Sequence, residues 1–87
     1  MDKKLIRVTG FVQGVGFRWF ASRTARSMGL RGWVRNLHGG GVEIFASGEA
    51  SKLGEFIRSL YGGPGEVADI KISDSEEDVP SGFDIRF

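Results

Sequence analysis

The chain has 87 residues, a net charge of +1 from 12 basic and 11 acidic side chains, 40% hydrophobic and 11% aromatic residues, and no cysteine. That is enough for one small domain over residues 1–87, burying about 60–65% of its unfolded surface in a single core. The composition excludes a disulfide framework and thiolate metal ligation, and one histidine argues against structural zinc. A near-neutral balance is not that of a dedicated nucleic-acid binder. Met1-Asp2-Lys3-Lys4 leads into only a broken apolar run rather than a signal peptide, and no stretch approaches the ~20 apolar residues of a membrane span. A cytoplasmic protein is therefore expected, with no membrane or nucleic-acid partner.

Residues 4–12 alternate, with Ile6, Val8 and Val12 on one face and Arg7 and Thr9 on the other, and predict a strand. Gly10 interrupts it and marks a bulge or a close backbone approach. A turn at residues 13–17 leads into a helix over 18–28, whose apolar stripe is Phe17, Phe20, Ala21, Thr24, Ala25 and Met28. Arg23 and Arg26 fall opposite that stripe, Trp19 lies off it near the turn, and Gly29 ends the helix. Strands are expected over 31–36 and 42–47, joined as a hairpin by Leu37-His38-Gly39-Gly40-Gly41. His38 sits in that loop, where a solvated role fits better than acid–base work. A second helix is expected over 49–61, with Ala50, Leu53, Phe56, Ile57 and Leu60 inward and Ser47 or Ser51 as its cap. Gly62-Gly63-Pro64-Gly65 breaks it. A strand over 66–73 follows, then the acidic run 73–78, read as a solvated loop with metal binding as its alternative. A turn at 80–82 precedes a last strand carrying Phe83, Ile85 and Phe87.

Charge is uneven along this order. Lys3, Lys4, Arg7, Arg18, Arg23, Arg26, Arg31 and Arg35 occur with no acid between residues 3 and 35, while Asp74, Glu76, Glu77 and Asp78 gather late. A positive half steers an anionic ligand, or simply keeps the surface soluble.

The order β-α-β-β-α-β-β predicts an α+β fold: a ferredoxin-like sandwich with an antiparallel-containing sheet, two helices on one face and a short extra strand. A right-handed first crossover leaves the first two strands parallel, with their carboxyl ends at one edge. The stretch Gly10 to Arg18 occupies that edge. Its glycines let several N–H groups of residues 13–18 aim at one point, next to a helix N-terminus with free donors and a positive dipole end. These are the parts of a phosphate site, which the guanidinium of Arg18 can complete. Many such turns bind nothing, so the spacing alone leaves that open. It is neither a Gly-x-x-x-x-Gly-Lys-Ser/Thr loop nor a dinucleotide fingerprint, because Trp19 stands where the third glycine belongs. Asn36, at the end of the second strand, reaches the same edge, either to hold a water or merely to begin the turn.

Gly10-x-Val12-Gln13-Gly14-Val15-x-Phe17-Arg18 resembles the first signature of the acylphosphatase family, and Gly32-Trp33-Val34-Arg35-Asn36 with Gly40, Val42 and Gly48 resembles the second. The likeness extends over the whole chain. It implies hydrolysis of small acyl phosphates to a carboxylate and inorganic phosphate, without metal or cofactor. Inorganic phosphate would then be both product and competing ligand. The resemblance further implies that Arg18 binds the phosphate, Asn36 orients the attacking water, and the N–H groups of Gln13, Gly14, Val15, Gly16, Phe17 and Arg18 cradle the phosphate oxygens. A monomer is the expected state. Two rivals remain: a non-catalytic anion-binding module of the same fold, as in larger hydrogenase-maturation enzymes, and an RNA-recognition domain. A chain that stops at residue 87 favours the free enzyme over the first. The second needs its aromatics on a central strand, whereas here they enter a helix.

Overall fold

Apolar alternation, glycine punctuation and two helical stripes place seven elements along the chain. They are β1 (Asp2–Phe11), α1 (Phe17–Ser27), β2 (Arg31–Asn36), β3 (Val42–Gly48), α2 (Ala50–Leu60), β4 (Glu66–Asp74) and β5 (Phe83–Arg86). The computed structural model describes all of residues 1–87. The sheet runs β4-β1-β3-β2-β5. β3 lies between β1 and β2 and pairs antiparallel with each, so β1 and β2 point the same way one strand apart. β4 joins β1 antiparallel, and β5 joins β2 in parallel. This is the expected ferredoxin-like sandwich with a strand added at the β2 edge. The register of β1 against β4 shifts between Thr9 and Gly10. Gly10 has φ 124°, and a Cβ there would collide with the Glu66 carbonyl, so only glycine allows the two backbones to approach so closely.

One face of the sheet carries both helices. Ile6, Val8, Val34, Ile44 and Ala46 meet Phe17, Ala21 and Ala25 of α1 and Leu53, Phe56 and Leu60 of α2 in one core. Two helix details differ from the periodic reading. Ser22 is buried and its Oγ donates to the Trp19 carbonyl, while Thr24 is only half-buried. Arg26 does not simply face water: its Nε and Nη2 donate to the Phe83 carbonyl at 2.9 and 2.6 Å, tying α1 to β5. α1 closes in a Schellman motif, with Leu30 N–H donating to the Ala25 carbonyl and Gly29 N–H to that of Arg26. α2 begins at Glu49 with no side-chain cap, so neither Ser47 nor Ser51 fills that role. Ser47 Oγ is instead buried on β3 with no partner.

The helix-free face departs most from expectation. All seven residues of β3 are buried, including Glu43, Phe45 and Ser47, which point away from the helices. The segment after β4 crosses this face to reach β5 and is not a free acidic loop. Ser75 N–H donates to the Lys3 carbonyl, Lys3 Nζ to the Glu77 carbonyl, and Trp33 Nε1 to Glu77 Oε1. On the same face, Glu43 Oε2 accepts from Arg7 Nε at 3.0 Å and Oε1 from Arg35 at 2.6–2.9 Å. Burial pushes the Glu43 carboxyl up, but the hydrogen bonds and charges of Arg35 and Arg7 outweigh it and hold the group below its ordinary 4.5. No helix is long and apolar enough to cross a membrane.

Candidate active site

The turn between β1 and α1 is built by glycine conformation. Gly14 and Gly16 have φ 74° and 86°. Gly16 is the N-cap of α1 and supplies no side-chain cap. A Cβ at Gly16 would meet no atom within 4 Å, so glycine is required there by the left-handed backbone, and the space before the helix stays open. The first α1 bond runs from Phe20 N–H to the Gly16 carbonyl, and no turn, loop or cap bond starts from an N–H of residues 13–19. A row of uncommitted donors at the positive end of an 11-residue helix therefore faces open space.

That space is a cleft of about 280 Å³ lined by Val12, Gly14, Gly16, Phe17, Arg18, Trp19, Asn36, Ile85 and Phe87. Arg18 is its only charged lining residue. The guanidinium is held from one side: Nη1 donates to the Arg86 carbonyl at 3.1 Å, and Cζ lies 4.7 Å from the centre of the Phe87 ring. Its other N–H donors are left for a ligand. Asn36 pairs with Val42 at the end of β2, and its Oδ1 is buried without a hydrogen-bond partner. An acceptor left so costs about 1–3 kcal/mol unless something donates to it.

Gly14, Gly16, Phe17, Arg18 and Asn36 thus come together, although β3 separates the two strands that deliver them. Gln13 and Val15 do not line the cleft. Gln13 Nε2 donates to the carbonyls of Leu37 and Gly41, both at 2.7 Å, lashing the glycine turn to the loop that follows Asn36. Val15 packs against the core. His38 is exposed and outside the cleft. The contribution of β5 was missed by the sequence reading. Alternation marked Phe83, Ile85 and Phe87 as a strand, but nothing local indicated parallel pairing with β2, which brings Ile85, Phe87 and the Arg86 carbonyl to Arg18.

This geometry matches proteins that are already known. The acylphosphatase family model matches residues 4–85. An acylphosphatase of Thermotoga petrophila is 42% identical over 79 residues, which span 91% of this chain and 87% of that one. The crystal structure of acylphosphatase from Bacillus subtilis superposes with a TM-score of 0.91 at 36% identity, covering both chains completely. HypF of T. kodakarensis contains a similar fold, with a TM-score of 0.84 and 34% identity, but this chain spans only 12% of that protein. Two signatures, one sheet order and a match running nearly end to end converge, and the chain belongs to the acylphosphatase family.

Proposed function

We propose that the protein is an acylphosphatase, hydrolysing the carboxyl–phosphate bond of small acyl phosphates. The observation that carries this is one cleft lined by residues of the free helix end, by Arg18 and by Asn36, whose Oδ1 has no partner in the protein. The phosphoryl oxygens take the N–H groups of residues 13–18 and the free donors of Arg18. Asn36 Oδ1 accepts from a water and aims its lone pair at phosphorus. The water oxygen bonds to phosphorus as the bond to the acyl oxygen breaks, and the carboxylate leaves with the bonding pair. No side-chain carboxylate or imidazole lines the cleft, so the water's proton passes to a phosphoryl oxygen. A carboxylate leaves readily, so positioning and charge stabilisation carry the reaction and neither metal nor cofactor is called for.

The same reading makes residues 1–87 one domain, since one core draws on every element, and makes the enzyme a cytoplasmic monomer whose cleft is complete within one chain. The test is turnover of acetyl and benzoyl phosphate. Arg18→Ala is expected to lose about 2.7–4 kcal/mol of barrier stabilisation, or 10²–10³-fold in kcat. Arg18→Lys keeps charge without the fork and stays impaired. Asn36→Ala lowers kcat far more than it weakens inorganic phosphate as a competitive inhibitor. Equal losses of both would contradict the water-holding role, and phosphate binding with no turnover would leave an anion-binding module.

A further inference from the structure

Strand register sets one row of charges across the whole sheet. Lys71 of β4 lies opposite Arg7 of β1, Arg7 opposite Glu43 of β3, Glu43 opposite Arg35 of β2, and Arg35 opposite Arg86 of β5. Directly paired residues share a face. Ile6 and Val8, on either side of Arg7, enter the core under the helices, so the row stands on the helix-free face. Its four cations are exposed, while Glu43, its only acid, is buried. Neighbouring strands lie about 4.8 Å apart, so the row crosses about 19 Å of surface.

The row is held in place before any ligand arrives. Glu43 engages Nε of Arg7 and Nε and Nη2 of Arg35, which leaves both Nη groups of Arg7 and Nη1 of Arg35 uncommitted. Arg35 and Arg86 both lie against Trp33, with Cζ 5.3 and 4.6 Å from its ring centre. Ordering a long side chain normally opposes binding, and three of these four are already ordered. Lys71 and Arg86 have no acidic partner. Asp69 and Asp84, two residues along the strand from Lys71 and Arg86, make no ion pair with them and bound the row without closing it. Where β1 meets β4 the surface dips into a hollow of about 260 Å³, with Arg7, Lys71 and Ser73 in its lining and no acid.

Such a row complements an anion that carries several charges in line, since a single tetrahedral ion reaches only two neighbouring cations. The rings of the adjoining row, Trp33 and Phe45, are 4% and 0% exposed, so nucleic-acid bases find nothing there to stack on. We infer that the helix-free face binds linear inorganic polyphosphate, laid across the strands with one end in the hollow beside Arg7 and Lys71. The site is separate from the cleft ahead of α1, whose lining contains none of these four side chains.

The experiment is isothermal titration with long-chain polyphosphate at matched ionic strength, with inorganic phosphate in excess to occupy the cleft. Binding is expected to persist there and in Arg18→Ala. Lys71→Gln and Arg86→Gln each weaken it about two- to five-fold, and each lowers the salt dependence by about one counterion. Lys52→Gln, an exposed cation on α2, leaves it unchanged. Pyrophosphate, too short to follow the row, binds more weakly than the long chain. Loss of binding in Arg18→Ala or under excess phosphate would place the anion in the cleft and overturn the inference. So would equal affinity for pyrophosphate, or affinity unchanged in both row variants. A single-stranded oligonucleotide or polyglutamate of equal charge binding as tightly would overturn the assignment to polyphosphate.

Discussion

Two side chains with unmet hydrogen-bonding capacity sit in this protein, and they have opposite meanings. Asn36 is one of the residues that line the cleft, where the proposed chemistry would use its amide; Ser47 Oγ is buried on the helix-free face. The cost at Ser47 has no compensating use in the chemistry. Ser47→Ala is therefore expected to leave turnover unchanged and to raise stability by up to about 1 kcal/mol, read from urea melts. Glu43 shows the reverse balance, a buried charge fully engaged by Arg7 and Arg35. Its folded-state pKa lies below 4.5, so its contribution is present above that value and fades as pH falls through the folded pKa. Glu43→Gln should cost about 1–3 kcal/mol at neutral pH. The gap between variant and wild type should narrow in melts below pH 4.5, and a constant gap would contradict the assignment.

At the scale of elements, periodicity placed every strand and helix within a residue or two, because apolar side chains recur along each at the spacing of its own geometry. Where that contrast vanishes, reading from sequence failed. β3 is buried on both faces, so Glu43 and Ser47 look like outward positions yet neither meets solvent, and the segment that crosses this face is one whose acidity implied solvation. That segment is placed by contacts distant in sequence, Lys3 and Trp33 to Glu77, which no local pattern encodes. Glycines were the most legible feature: Gly10 and Gly16 each do a backbone task that their position foretold. Gln13 was legible only as part of a signature, since its partners lie in a loop 24–28 residues on.

For the whole molecule, the site and the fold share one free-energy balance. Any ligand that binds only the folded state stabilises it, by about 2.7 kcal/mol at a hundred times its dissociation constant. For a chain of this size, inorganic phosphate at that excess should raise Tm by about 10–20 °C. Arg18→Ala should lose most of that rise at the same phosphate concentration, as read by scanning calorimetry. A full shift in the variant would place the bound anion elsewhere. The half of the site resting on β1, α1 and β2 could be foreseen from sequence because these elements follow one another. The other half comes from β5, whose place at the β2 edge depends on tertiary pairing alone.

Arg18 takes its hold on the Arg86 carbonyl across 68 residues of chain. During synthesis the donors ahead of α1 can form early, but the guanidinium lacks its resting place until residues 83–86 have docked beside β2. The placement of Arg18 therefore depends on the docking of β5 as well as on α1.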